Sequence, residues 1–306
     1  MIRAALVLVA GTAVTLAGAV GASSAPPPPN VTCDQVTQTF SGTAHDLTVP
    51  ANGYCDIENA TITHDLIVQH DSGGDLTNST VGHDARYAVE AGGDLRGSAI
   101  GHDLSYAGGG GSIFGSTIGN DLTARYSEVH LAASQIGHNL IAYRPDSIQT
   151  GANSPDDAGL VQVENDFVID GSPGQPDTGA FVFDGICDLS VGRDLRITNR
   201  WVTLGIGLGD ECPSRGRGPV TVGRDLVFSG NDALNSDFAG PSALEVGNMN
   251  VGRNLTVTHN SAALWLEVAD NTVAGDATCR DNNPAASLPE SSDGPNSVGG
   301  KNDGCP

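Results

Sequence analysis

Ile62-Thr63-His64-Asp65-Leu66, Val81-Gly82-His83-Asp84-Ala85 and Ile100-Gly101-His102-Asp103-Leu104 are three copies of one phrase, 19 residues apart. Each has an aliphatic residue, usually Gly, then His, Asp and Leu or, once, Ala. A first copy, Ala44-His45-Asp46-Leu47, stands 19 residues earlier. Ile118-Gly119-Asn120-Asp121-Leu122 and Ile136-Gly137-His138-Asn139-Leu140 follow at steps of 18. After His138 the step swells to between 27 and 31, through Val163-Glu164-Asn165-Asp166-Phe167, Val191-Gly192-Arg193-Asp194-Leu195, Val222-Gly223-Arg224-Asp225-Leu226 and Val251-Gly252-Arg253-Asn254-Leu255. A half-repeat, Gly74-Asp75-Leu76 and Gly93-Asp94-Leu95, sits about midway between full copies.

Apolar residues after the phrase alternate, as in Leu66 and Val68, Leu195 and Ile197, Leu255 and Val257. Short runs with period two, bounded by Gly and Asp, read as half-buried strands. Gly, at 41 of 306 residues, is too frequent for helix interiors. A unit of 18 or 19 residues cannot shelter its own apolar side chains. Stacked on its neighbours it can, because the Ile/Val and Leu columns then pool into one core. The expected fold is all-β: a single-stranded parallel β-helix of about 10 or 11 windings, or roughly 50 Å at the spacing of paired strands. With few aromatic residues, the core is expected to be thin and aliphatic.

The chain divides as follows. Residues 1–25 read as a signal peptide: Arg3, an apolar run from Ala4 to Val20, then small residues that allow cleavage after Ala22 or Ala25. An uncleaved anchor is the alternative. Residues 26–31 form a proline-rich linker. Residues 32–275 form the solenoid, with regular windings to about 138 and longer, loop-bearing windings over 139–252. Residues 276–306 read as a disulfide cap. The mature chain is expected to have no membrane span and to be secreted, with association to the cell surface left open.

Cys33, Cys55, Cys187, Cys212, Cys279 and Cys305 make an even set, as expected of disulfides in an exported protein. Six cysteines allow 15 pairings. The adopted reading takes the sequential couples Cys33–Cys55, Cys187–Cys212 and Cys279–Cys305. Asp plus Glu outnumber Lys plus Arg by 36 to 14, which opposes nucleic acid and anionic membranes as partners.

The motifs and the ending resemble the bactofilin-like polymer-forming repeats and, more closely, secreted actinobacterial β-solenoid repeat proteins. The most specific part is Asn271-Thr272-Val273-Ala274-Gly275-Asp276-Ala277-Thr278-Cys279 with Gly294-Pro295-Asn296-Ser297-Val298-Gly299-Gly300-Lys301 and Cys305. The resemblance spans roughly residues 31–306 and implies a right-handed parallel β-helix but no particular activity. The exported setting and the disulfides depart from bactofilins, which are cytoplasmic scaffolds.

Two columns carry the candidate chemistry. Asp46, Asp65, Asp84, Asp103, Asp121, Asn139, Asp166, Asp194, Asp225 and Asn254 form a structural turn ladder. Each is expected to cap its own turn by accepting backbone N–H groups. Ca²⁺ between windings is the alternative, but Asn139 and Asn254 keep the acceptor while losing the charge. Beside it run His45, His64, His83, His102 and His138, then Arg193, Arg224 and Arg253. The switch to Arg favours charge compensation; pH sensing and transition-metal binding are the other readings. No catalytic, cofactor-binding or metal residues are assigned, and no cofactor is expected.

The functional expectation is a non-enzymatic structural or binding solenoid, with any partner site on the loop-bearing windings 144–250. The partner would be cell-wall or extracellular polysaccharide, or a protein. The alternative is a polysaccharide-binding or polysaccharide-degrading β-helix of pectin-lyase-like architecture. Its acids would come from Asp156, Asp157, Asp170, Asp184, Asp210 and Glu211, with Arg200, Arg215 and Arg217 nearby.

Overall fold

The computed structural model describes residues 26–34, 37–151, 159–171, 183–203, 205–209, 220–233, 243–288 and 294–306. Residues 1–25, read above as a signal peptide, lie outside them, as do Cys212, Asp156, Asp157, Asp210, Glu211, Arg215 and Arg217. Among the described residues every regular element is a strand, and every strand pairing is parallel. No helix there is long and apolar enough to cross a membrane.

One winding shows the plan. Thr61–Ile62 lies in sheet C, the turn at His64-Asp65 leads to Leu66–Val68 in sheet A, and Gly73–Thr77 in sheet B completes the circuit. Thr80–Val81 then pairs with Thr61–Ile62, one level on. Among the described residues sheet A stacks thirteen strands, from Val31–Thr32 to Asn302–Asp303, sheet B eleven and sheet C twelve. A fourth sheet of three short strands, Trp201–Val202, Asp232–Ala233 and Ser261–Ala262, appears only in the longer windings. The chain is therefore a parallel β-solenoid, three-sided and built of stacked repeats.

Register follows the motif. Leu47, Leu66, Ala85, Leu104, Leu122, Leu140, Phe167, Leu195, Leu226 and Leu255 stand one above another in sheet A, all buried. Each such Leu contributes roughly 1.5–3 kcal/mol by leaving water. The swollen spacing after His138 does not break the column. The motif glycine has a steric cause: a Cβ on Gly101 would lie 2.3 Å from the Gly82 carbonyl oxygen of the winding below.

The core is less uniformly aliphatic than expected. Tyr87 and Tyr106 point inward from sheet A, stacked with ring centroids 4.7 Å apart. Their hydroxyls donate to the Gly74 and Gly93 carbonyls at 2.6 and 2.9 Å. Gly93 and Gly111 leave room for these side chains: a Cβ there would lie 2.8 Å from Tyr87 Cε1 and 3.2 Å from the Tyr106 hydroxyl. In the next two windings sheet A has Ala124 and Ala142, and the sheet B positions in register with Gly111 hold Val129 and Ile148. Large residues thus trade sides at near-constant volume, as close packing requires.

Polar ladders close two corners from inside. Ala60, Ser79, Ser98 and Ser116 each donate their backbone N–H to the serine Oγ one winding on (Ser79, Ser98, Ser116, Ser134), at 3.0–3.2 Å. In the later windings, Arg200, Asn231 and Asn260 donate likewise to Oδ1 of Asn231, Asn260 and Asn282, at 2.9–3.1 Å. These side chains satisfy buried amides that the corners would otherwise orphan.

Both ends are stapled, by Cys33–Cys55 and by Cys279–Cys305. Cys187 is also disulfide-bonded; its expected partner, Cys212, lies outside the described residues. The fold starts slightly ahead of residue 32, because Pro29 accepts a hydrogen bond from His45 N and Val31 pairs with Leu47. At the other end the cap is itself a winding: Ser297–Val298 extends sheet C and Asn302–Asp303 extends sheet A.

Candidate functional site

The turn column sits where sheet C passes into sheet A. Its hydrogen bonds differ from the expectation of each Asp capping its own turn. Asp46 Oδ1 accepts the backbone N–H of Asp65, one winding on, at 3.2 Å. Asp65, Asp84, Asp103 and Asp121 serve Asp84, Asp103, Asp121 and Asn139 in the same way at 3.0–3.2 Å. Asn139, Asp166, Asp194 and Asp225 serve Asp166, Asp194, Asp225 and Asn254 at 3.2–3.3 Å. The reason is geometric: the turn's amide points along the stack, so the oxygen nearest to it belongs to the neighbouring winding. The column also runs beyond the last full copy of the motif. Asn254 accepts from Asp276 N at 3.1 Å, and Asp276 from Lys301 N at 2.8 Å. Val273-Ala274-Gly275-Asp276-Ala277 and Val298-Gly299-Gly300-Lys301-Asn302 are worn copies of the same phrase, and their spacing to Val251 was the signal that could have found them.

The second column supplies the countercharge, again from the next winding. His64 Nδ1 lies 2.8 Å from Asp46 Oδ1, His83 Nδ1 2.9 Å from Asp65 Oδ1, and His102 Nδ1 2.9 Å from Asp84 Oδ1. Asn120 donates to Asp103 at 2.7 Å, and His138 meets Asp121 at 2.8 Å. The first histidine, His45, contacts Thr63 Oγ1 instead. In the later windings Arg224 Nε stands 3.2 Å from Asp194, Arg193 Nε 3.6 Å from Asp166, and Arg253 grips Asp225. Arg86 and Arg196, from sheet A, add pairs to Asp84 and Asp194.

His45, His64, His83 and His102 form a stack with ring centroids 5.0–5.2 Å apart. The Nδ1 contacts of His64, His83 and His102 come from the aspartates, which orient those rings. The His64 side-chain hydrogen bond is the main cause that holds the Asp46 carboxyl below its ordinary value, and the same bond raises His64. For Asp84, burial is the largest influence and pushes upward. The Asp103 amide, His102 and Arg86 together outweigh it, so this carboxyl too is lowered. Asp84 in turn raises His102. At Asp46 and Asp84 the arrangement favours the ionised carboxylate.

Of the acids considered for sugar chemistry, Asp170 and Asp184 lie among the described residues. Asp184 is fully buried, its Oδ2 2.8 Å from Nε of the equally buried Arg200, while its Oδ1 accepts the Ile148 N–H at 2.9 Å. Asp170 lies at the end of a sheet A strand and accepts from Asn199. An open depression of about 410 Å³ lies elsewhere, on the outer face of sheet B, lined by Gly108–Gly111, Ser112, Glu128, His130 and Asp146. His130 Nε2 stands 3.2 Å from Glu128 there. Tyr126 and Tyr143, both exposed, are close in sequence to its rim.

No family model, curated protein or solved structure matches this chain.

Proposed function

We propose that this chain is a non-enzymatic structural or binding rod that works outside the cytoplasm, secreted or held at the cell surface. The observation that carries this reading is the unbroken seam from Asp46 to Lys301. Along it the carboxylates are committed to backbone amides of the next winding and, in most windings, to a neighbouring cation. Carboxylates so engaged serve cohesion along the axis. The disulfides at both ends suit an oxidising compartment, and the apolar run after Arg3 suits export. The likeness to secreted actinobacterial solenoids in the turn and cap motifs adds support of the same kind. Any partner site is placed on the loop-bearing windings 144–250, with polysaccharide or protein as the partner.

A second reading, polysaccharide binding or cleavage, is favoured by the depression beside Glu128 and His130 with tyrosines near its rim. The two are separated by incubating the full chain with extracellular polysaccharides, measuring both co-sedimentation and new reducing ends. The rod reading expects no new ends. Ends released by the wild type but not by Glu128→Gln would replace it with the enzymatic one.

A further inference from the structure

The four stacked histidines meet the aspartate column in a way that charge pairing alone does not require. His45, Asp46 and His64 form one group, His64, Asp65 and His83 a second, and His83, Asp84 and His102 a third. In each, one nitrogen per ring and one carboxylate oxygen lie within 4.8 Å of one another. We infer that this ladder binds a borderline divalent transition-metal ion such as Zn²⁺, most tightly at His45–Asp46–His64. The inference is independent of the rod reading.

The chemistry follows from the donors. Two neutral imidazoles and a carboxylate suit Zn²⁺, Ni²⁺ or Cu²⁺ and leave coordination positions for water. Ligands around a tetrahedral Zn²⁺ sit about 3.4 Å apart, given metal–ligand bonds near ~2.1 Å. His64 Nδ1 and Asp46 Oδ1, at 2.8 Å, already lie inside that separation. The third ligand closes the site by a ring swing on the order of 1 Å. The ion takes the place of the proton shared between Nδ1 and Oδ1, and the neutral ring then carries its proton on Nε2.

Geometry also sets the stoichiometry. Neighbouring groups share a histidine, so only the outer two fill together, giving at most two ions. Charges already present rank them. Arg86 lies 2.5 Å from Asp84 and 3.4 Å from Asp65, and repels a second cation there. Among the described residues the ion-pair partner of Asp46 is His64. The first site is therefore the tighter and His83–Asp84–His102 the weaker. The ladder then ends, because Asn120 replaces the next imidazole and His138 stands apart from the stack.

Equilibrium dialysis of the full chain against ZnCl₂ at neutral pH tests this. One ion binds tightly and a second about tenfold or more weakly; CaCl₂ at the same concentrations does not bind. His64→Asn removes the tight ion, and His102→Asn only the weak one. Arg86→Ser, which copies Ser105 one winding on, tightens the second site about tenfold and leaves the first. His138→Asn changes neither. Asn120 already occupies the ladder, so the Asn variants keep the fold, which metal-free melting checks. Absence of Zn²⁺ binding at about 1 mM, equal binding of Ca²⁺, or stoichiometry unaltered in the His64→Asn/His102→Asn double variant overturns the assignment.

Discussion

Asp184 and Arg200, sixteen residues apart, meet inside the solenoid with Oδ2 2.8 Å from Nε and neither side chain reaching solvent. The pair joins two lines of support. Asp184 receives the Ile148 amide, and Arg200 donates from Nη1 to the Pro145 carbonyl at 2.7 Å and heads the asparagine ladder through its own amide. Removing one partner leaves a buried charge without its counterion. Arg200→Met is expected to lose about 3–5 kcal/mol in urea unfolding. Asp184→Asn/Arg200→Met should lose less than the sum of the single changes, because no charge is then stranded. Strict additivity would show that the two act separately.

Asp103 tests whether the turn column needs charge or only an acceptor. Its Oδ1 accepts from Asp121 N at 3.1 Å and from Asn120 Nδ2 at 2.7 Å. Asn139 and Asn254 do the amide part of this work elsewhere with no charge. Asp103→Asn should therefore cost within about 1 kcal/mol, and Asp103→Ala more, since it strands both donors. A loss above about 3 kcal/mol in the Asn variant, recovered by added Ca²⁺, would revive the calcium reading of the column.

Gly93 is fixed from both directions. A Cβ there would lie 2.1 Å from the Gly74 carbonyl oxygen and 2.8 Å from Cε1 of Tyr87. Backbone pairing sets the first contact and a buried ring the second, so neither yields cheaply. Gly93→Ala is expected to cost at least about 1–3 kcal/mol, by overpacking. Adding Tyr87→Phe removes the hydroxyl but not Cε1 and should not rescue it; adding Tyr87→Ala should recover only the ring's share. Thermal melting of the three variants distinguishes these outcomes.

The Leu column was legible because stacking makes a fixed phrase into a fixed place: Leu66, Ala85 and Leu104 share both. Inserted residues between Leu140 and Phe167 hid nothing, since the phrase at Val163 marks where the stack resumes. Other features were less legible. Gly74 and Gly93 were visible as a half-repeat, yet their side-chain causes, Val68 for Gly74 and Tyr87 for Gly93, lie on another sheet, and no local period encodes a contact between sheets. Asp184 read as one acid among several, because its burial depends on Arg200 and on nothing in its own strand. The aspartates were seen as turn caps, but the same four residues fit a bond within the turn or to the next winding. The direction of the amide decides that, and stacking of the windings sets it.

Leu104 tests the pooled core. It is fully buried between Ala85 and Leu122 in sheet A. Leu104→Asp places a carboxylate where no donor faces it, at a cost of several kcal/mol. Solenoid windings couple to nearest neighbours, so the damage should be local: amide exchange should quicken in the windings around residues 85–122 before those beyond 220. Cooperative melting at the wild-type temperature, with uniform protection, would contradict a shared core.

Asp225 tests the sign of the column's electrostatics in its arginine half. The Arg253 side-chain hydrogen bond is the largest cause holding this carboxyl below its ordinary value; burial opposes it, and the Arg253 charge and Asn254 amide add to the lowering. A carboxyl lowered by folding binds its proton more readily when unfolded. Its contribution is thus complete above the unfolded value of about 3.9 and is lost as pH falls through the folded one. Asp225→Asn keeps an acceptor for the Asn254 amide but cannot titrate. The wild type should therefore exceed the variant in stability at pH 6, and the gap should close between about pH 4 and the lowered folded value. Urea unfolding at several pH values measures it. Raised salt should narrow the gap at pH 6, since the Arg253 side chain is 52% exposed and its charge is partly screened. A gap that stays constant down to the acid limit would mean that Asp225 acts through shape and hydrogen bonding alone, and that the arginines opposite the column are not there for its charge.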